Sequence, residues 1–224
     1  MRQLAIAVMA KAPTAGQVKT RLVPPLSQEE AAGLYRCLLM DKLLQVSQLP
    51  GVDSYVAYTP DEAGPLMHEL APQSFTLIPQ SGADLGARLH RLSAMLLESG
   101  HPGVMIVDSD TPTLPTAYLL EGIERLRSTT TDLVLGPAED GGYYLVGLTR
   151  PCPALFDGIQ WSSPSVLTET LQRASAQRLR VATLPSWFDV DTADDLHRLR
   201  RDLATNGNAL APHTRGFLLD QRGD

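Results

Sequence analysis

The sequence predicts an α/β fold with a mostly parallel sheet, and three observations carry that prediction. Short apolar runs alternate with helical patterns along the whole chain, the order expected of strand–helix units that wrap a sheet on both faces. One run, Val104-Met105-Ile106-Val107, ends directly in Asp108-Ser109-Asp110, so a buried strand delivers two carboxylates to its C-terminal edge, where open α/β sheets bind ligands. The 224 residues contain no internal repeat, low-complexity tract or linker, and suffice for one sizeable core. We expect a domain over residues 1–204 followed by a tail over 205–224.

Taken in order, residues 4–9 form an apolar run that reads as the first strand. Ser27-Gln28-Glu29-Glu30 has the capping-box pattern, and the helix it opens carries Leu34, Tyr35, Leu38 and Leu39 on one face. Residues 52–58 read as strand, 63–70 as helix and 75–78 as a short strand. Residues 83–97 are helical, with Leu85, Leu89, Leu92 and Leu96 at helical spacing. After the strand at 104–107, Thr111-Pro112 stops its continuation, and a helix follows near 117–126. Apolar runs at 133–135 and 143–148 come next. Helix, strand and helix at 166–174, 179–182 and 193–203 complete the pattern.

Bulk composition narrows the partners. Hydrophobic content of 43% and charged content of 20% are those of a globular protein in water. A formal net charge of −6 disfavours nucleic acid or an anionic membrane surface as partner. Cys37 and Cys152 form neither a disulfide framework nor a Cys-x-x-Cys metal site, and a reducing, cytoplasmic setting is expected. The apolar run after Arg2 is short for a signal peptide and is better explained as a buried strand. No stretch approaches the length of a membrane span. The histidines are scattered without zinc spacing or a nearby nucleophile.

Five segments bear on chemistry. Asp108 and Asp110 suit a hard divalent cation, which takes oxygen ligands and usually binds through one or two carboxylates plus substrate phosphates. The loop after the first strand, Ala10-Lys11 through Gly16 to Lys19-Thr20-Arg21, combines small residues with the positive charge that a phosphorylated ligand needs. It is neither a Walker A loop nor a dinucleotide fingerprint, and by itself it reads equally well as a solvated basic loop. Gln80-Ser81-Gly82-Ala83-Asp84 leads into a helix N-terminus; Asp84 there is also an ordinary early-helix acid. Asp189-Val190-Asp191-Thr192 offers a second pair of carboxylates, while Thr192 and Asp195 form a capping arrangement. Asp140-Gly141-Gly142-Tyr143 reads either as a tight turn between strands or as an acceptor site; Trp161-Ser162-Ser163-Pro164 reads either as an aromatic wall beside it or as a core Trp161 with Ser163 capping the next helix.

Together these segments resemble a known family. Met9-Ala10-Lys11-Ala12-Pro13 with Gly16-x-Val18-Lys19-Thr20-Arg21-Leu22 is similar to the opening of the DUF2064 proteins, described as radical-SAM/selenodomain-associated transferases. Asp84-Leu85-Gly86-x-Arg88-Leu89, Asp108-Ser109-Asp110-x-Pro112, Gly136-Pro137-Ala138-x-Asp140-Gly141-Gly142-Tyr143, Ile159-x-Trp161-Ser162, Asp189-Val190-Asp191-Thr192 and Pro212-His213-Thr214-Arg215 continue the resemblance in order. It implies the nucleotide-diphospho-sugar transferase superfamily and a single-domain, Rossmann-like GT-A fold of three layers, with a distant likeness to the 2-phospholactate guanylyltransferases. It further implies that Lys19 and Arg21 contact nucleotide phosphates. Mg²⁺ or Mn²⁺ would be held by Asp108 or Asp110 with Asp189 or Asp191. The 80–86 segment, with Gln80, Gly82 and Asp84, would lie near the base. Asp140, Gly141, Gly142, Tyr143 and Trp161 would face a small acceptor, and Asp140-Gly141-Gly142-Tyr143 departs from the guanylyltransferase pattern. The expected activity is nucleotidyl transfer with pyrophosphate release, with Lys19, Asp108 and Asp140 catalytic. The alternatives are glycosyl transfer from a nucleotide sugar, with Asp140 as base, and a nucleotide-binding protein without catalysis. The sequence leaves the oligomeric state open.

Overall fold

A computed structural model of the chain describes residues 2–205 and 210–220. Seven strands form one sheet: β1 (Leu4–Lys11), β2 (Val52–Thr59), β3 (Thr76–Pro79), β4 (Val104–Val107), β5 (Leu133–Pro137), β6 (Tyr143–Leu148) and β7 (Val181–Thr183), in the spatial order β3-β2-β1-β4-β6-β5-β7. The helices are α1 (Gln28–Ser47), α2 (Gly64–Leu70), α3 (Leu85–Glu98), α4 (Thr116–Arg127), α5 (Val166–Ala176), α6 (Ala193–Thr205) and α7 (Pro212–Asp220). The β1–β2, β1–β4, β2–β3 and β5–β7 pairs are parallel, while β6 runs antiparallel to both β4 and β5. The reversal follows from connection length. A helix-containing crossover returns the chain parallel, whereas the short Ala138–Gly142 connection can only fold back as a hairpin.

Strand alternation splits the core into two layers. Leu4, Ile6 and Val8 face Leu39 and Leu43 of α1, Met67 of α2 and Ile123 of α4. Ala5 and Ala7 face the other way, toward Leu89, Leu92 and Leu96 of α3 and Ala174 of α5. The strands are buried on both sides and therefore read as continuous apolar runs. A third cluster joins Leu34 and Leu38 of α1 to Leu196 and Leu199 of α6 and Leu218 of α7.

Local signals agree with the elements they open. The Ser27–Glu30 capping box forms with both reciprocal bonds. Asp84 is the N-cap of α3, accepting from the Ala87 amide at 2.7 Å. The Thr192 hydroxyl donates to Asp195 at 2.7 Å at the start of α6. Ser163 does not cap α5; that position is Ser165. Within the expected tail, α7 packs on α1, where the buried Asp41 carboxylate accepts from the backbone amides of His213 and Thr214 at 3.0 and 2.8 Å. Among the described residues, no helix is long and apolar enough to cross a membrane.

Candidate active site

The C-terminal ends of β1 and β4 lie side by side in the sheet, so the segments leaving them share one edge. A cleft of about 480 Å³ opens there. Ala10, Lys11, Lys19, Arg21, Gln80, Asp108, Asp110 and Asp191 all line it, together with Tyr35, Ser109, Leu85 and Arg88. Gly16, Gly82, Asp84, Asp140, Gly141, Gly142, Tyr143, Trp161 and Asp189 do not line it.

The β1 loop is pinned at both ends. Buried Val18 and Leu22 anchor it, and the Lys11 amide donates to the Tyr35 hydroxyl at 3.0 Å. Tyr35 in turn bonds the Ser109 hydroxyl at 2.9 Å, tying the loop to the acidic turn through α1. Lys19 takes a left-handed conformation (φ 48°, ψ 37°), which turns its side chain inward until 5% of it is exposed. Its Nζ lies 2.5 Å from Asp110 Oδ2 and 3.6 Å from Asp191 Oδ1. Arg21 Nη1 donates to Asp191 Oδ2 at 2.6 Å. Ser162 is also left-handed (φ 62°) and also lines the cleft. Such non-glycine conformations cost of order 1–3 kcal/mol each and cluster at functional sites.

Behind Asp108 stands Lys42 of α1, whose side chain is wholly buried. Its Nζ donates to the Thr111 hydroxyl at 2.8 Å and lies 3.9 Å from Asp108 Oδ1, while Thr111 donates to that same oxygen at 2.6 Å. Asp189 and Asp191 arrive on an extended segment that is not a strand; the Val190 amide donates to the Asp110 carbonyl at 3.0 Å and fixes it beside β4.

The charges here are mutually dependent. Burial, and then the charge of Asp110, push the Asp108 carboxyl well above its usual range. Burial would raise Asp110 as well, but the Lys19 charge and hydrogen bond hold it below. Burial alone would lower Lys19; Asp110, Asp191 and Asp189 keep it above its ordinary value. Asp189 is pushed to about 6 by burial and by the charges of Asp110 and Asp140. Desolvation lowers Lys42.

The Asp140-Gly141-Gly142 segment is a tight turn, with Asp140 Oδ1 accepting from the Gly142 amide at 2.8 Å. Its neighbour Glu139 is clamped by Arg198 of α6, which stacks on Phe188. Tyr143 and Trp161 meet edge-to-face at 6.4 Å and pack against the α3-side core. Gly86 lets α3 approach this wall: a Cβ there would lie 2.6 Å from the Phe156 carbonyl and 2.8 Å from Trp161 Nε1.

The comparisons with known proteins bear on family and fold. A family model described as an uncharacterised protein conserved in bacteria, DUF2064, matches residues 42–163. The chain belongs to the DUF2064 family. A crystal structure of a candidate nucleotide-diphospho-sugar transferase from Desulfovibrio desulfuricans G20 is 33% identical to this DUF2064 chain. That alignment covers 99% of this chain and 96% of the other, with a TM-score of 0.89. A cytidylyltransferase from Leptospira borgpetersenii serovar Hardjo-bovis shares the fold at 10% identity, covering 99% of this chain and 96% of that one (TM-score 0.58). So does the 4-diphosphocytidyl-2C-methyl-D-erythritol synthase of Anaerococcus prevotii DSM 20548, at 11% identity over 89% and 96% (TM-score 0.57). No curated protein sequence matches. The fold is thus the single-domain, Rossmann-like GT-A fold with a mixed sheet.

Tyr35, Lys42, Ser109, Thr111 and Arg88 belong to or support the site without having been singled out as functional in the sequence. Lys42 had a legible signal: it falls at helical spacing with Tyr35, Leu38 and Leu39, on the apolar face of α1.

Proposed function

We propose that this protein is a metal-dependent nucleotidyltransferase that uses a nucleoside triphosphate and a small phosphorylated acceptor, releasing pyrophosphate. One observation carries the reading: two cations of the β1 loop and carboxylates from two separate segments meet in a single cleft at the C-terminal sheet edge. The likeness to a candidate nucleotide-diphospho-sugar transferase and to a cytidylyltransferase supports a nucleotide-using transferase in general.

The donor set suits Mg²⁺ or Mn²⁺. It is all oxygen; burial first, and then the charge of neighbouring carboxylates, raises Asp108 and Asp189, and a divalent cation would offset both by stabilising the ionised forms. Among the described residues no three such donors are already gathered around one point. Asp108 and Asp110 would hold the ion, with Asp189 or Asp191 as a further ligand and substrate phosphates completing the shell. When bound, the metal neutralises phosphate charge. Lys19 and Arg21 then exchange their carboxylate partners for phosphoryl oxygens. An acceptor phosphate oxygen forms a bond to the α-phosphorus, and the α–β bridge bond breaks, its electron pair leaving with pyrophosphate. Lys19 stabilises the charge that develops from a nearly dry position; preorganised donors of this kind are worth roughly 3–4 kcal/mol each. Asp140, exposed and close enough to Asp189 to raise it, stands on the acceptor side.

Mass spectrometry of products tests the reading. The protein is incubated with each triphosphate or nucleotide sugar, metal, and a pool of small phosphorylated and hydroxylated metabolites. Metal-dependent pyrophosphate that disappears in Asp108→Asn is the expected result. Nucleoside diphosphate from a nucleotide sugar, with no pyrophosphate from any triphosphate, would establish glycosyl transfer instead and make Asp140 the acceptor base.

A further inference from the structure

The cleft has two chemically different ends. One holds Lys19, Arg21 and the carboxylates. The other holds Met9, Leu85, Gln80 and Arg88, and there Leu85 leaves 43% of its surface exposed although it is a large apolar residue at a helix start. A polyphosphate at the first end directs the rest of a nucleotide toward the second, where the exposed leucine offers a ring an apolar face to cover.

The polar groups at this end are almost all spent within the protein. Gln80 Nε2 donates to the carbonyls of Ala10 and Ala57 at 3.1 and 2.8 Å, using both of its hydrogens. This sets the amide orientation and aims Oε1 at Arg88 Nη1, 3.3 Å away. The Gly82 carbonyl accepts from Arg88 Nε at 3.2 Å, and Asp84 is occupied as the α3 N-cap. So the residues expected at the base have their groups engaged with the backbone or with Arg88. Arg88 is the donor left over: among the described residues nothing accepts from its Nη2, and it lines the cleft.

We infer that Arg88 reads the nucleobase, selecting one that carries a carbonyl oxygen beside a bare ring nitrogen, namely guanine (O6 and N7) or cytosine (O2 and N3). The assignment rests on the nucleotide reading of the same cleft. A guanidinium is a rigid fork of five N–H donors with no acceptor; with Nε spent on Gly82 and one Nη1 hydrogen on Gln80, the second Nη1 hydrogen and Nη2 are the pair that can meet two adjacent acceptors. Adenine places an amino group where the oxygen should be, and uracil places an N–H between its carbonyls; either sets donor against donor. The bonds to Gln80 and Gly82 hold the fork before ligand arrives, which lowers the ordering cost of recognition.

The test is calorimetry on the full chain with Mg²⁺ and, in separate titrations, GTP, CTP, ATP, UTP and inorganic tripolyphosphate. Wild type should bind GTP or CTP about tenfold or more tightly than ATP and UTP, the arms showing which of the two it is. Arg88→Met should collapse that ranking while tripolyphosphate still binds. Arg88→Lys should collapse it too, because a point charge does not replace the fork; it also carries the test if Arg88→Met melts early. A ranking that survives in both variants, or one headed by ATP or UTP, overturns the assignment while the phosphate cleft stands. Wild type that binds neither tripolyphosphate nor any nucleotide overturns the cleft reading, and the assignment with it.

Discussion

Lys19→Met removes the charge that neutralises Asp110 and keeps most of the stem, and it should change stability and metal affinity in opposite directions. At 2.5 Å and an effective dielectric of about 20, the Lys19–Asp110 charge interaction is about 7 kcal/mol. Desolvating a lysine whose side chain is 5% exposed offsets much of this. Removing one partner of such a pair costs about 3–5 kcal/mol, and the 25% exposure of Asp110 places this case near 3. Urea unfolding of the metal-free variant should show that loss. Mn²⁺ added alone should bind the variant about tenfold more tightly, 1.4 kcal/mol, because no ammonium competes for Asp110. Wild type should bind Mn²⁺ poorly until tripolyphosphate is present and draws Lys19 and Arg21 away; in Lys19→Met that mutual enhancement should shrink. Calorimetric titrations of metal with and without tripolyphosphate read all of these quantities. Weaker binding of Mn²⁺ alone to a folded Lys19→Met, or an enhancement equal to that of wild type, would refute ion-pair exchange as the link between metal and phosphate.

Two further predictions concern the support of the site and the sheet edge. Lys42→Met should destabilise the protein by about 2 kcal/mol, since Thr111 and Asp108 lose a buried partner, and should cost clearly less in an Asp108→Asn background; strictly additive unfolding energies would show that the two do not interact. Arg180, through side-chain and backbone hydrogen bonds, holds Asp132 well below the usual carboxylate range, and so joins β7 to β5. A depressed carboxylate adds stability above its unfolded pKa and loses it as pH falls through the folded value. Acid unfolding of Asp132→Asn should therefore be flatter than wild type below about pH 4 and parallel to it near neutrality; identical acid limbs would count against the pair.

Much of the architecture was legible because it depends on short-range patterns. Strands buried on both faces show as apolar runs, and the Ser27 capping box marks a helix start within four residues of sequence, whereas Asp84, read as an early-helix acid, is the N-cap of α3 itself. Asp108 and Asp110 were legible because a strand end assigns an edge before any tertiary contact is known. The Asp140-Gly141-Gly142 segment was ambiguous because one backbone requirement, a tight reversal, and one chemical opportunity, a free carboxylate, use the same letters. Pairing across the sheet was not legible. That Val190 bonds Asp110, and so brings Asp191 within reach of Lys19 and Arg21, depends on where β7 and its following segment settle.

By itself the sequence determined the strands and helices up to α6, which edge of the sheet carries the carboxylates, and that a basic loop leaves the first strand at that edge, since each depends on residues close together along the chain; α7, within the expected tail, was not among them. Only the tertiary structure decided the charge of the site. Burial of Lys42 behind Asp108, the inward turn of Lys19 onto Asp110, and the consumption of Gln80 by two strand carbonyls that leaves Arg88 facing the cleft all join residues from separate elements. Their energies come from distance and exposure to water, and a chain acquires neither until its elements have packed.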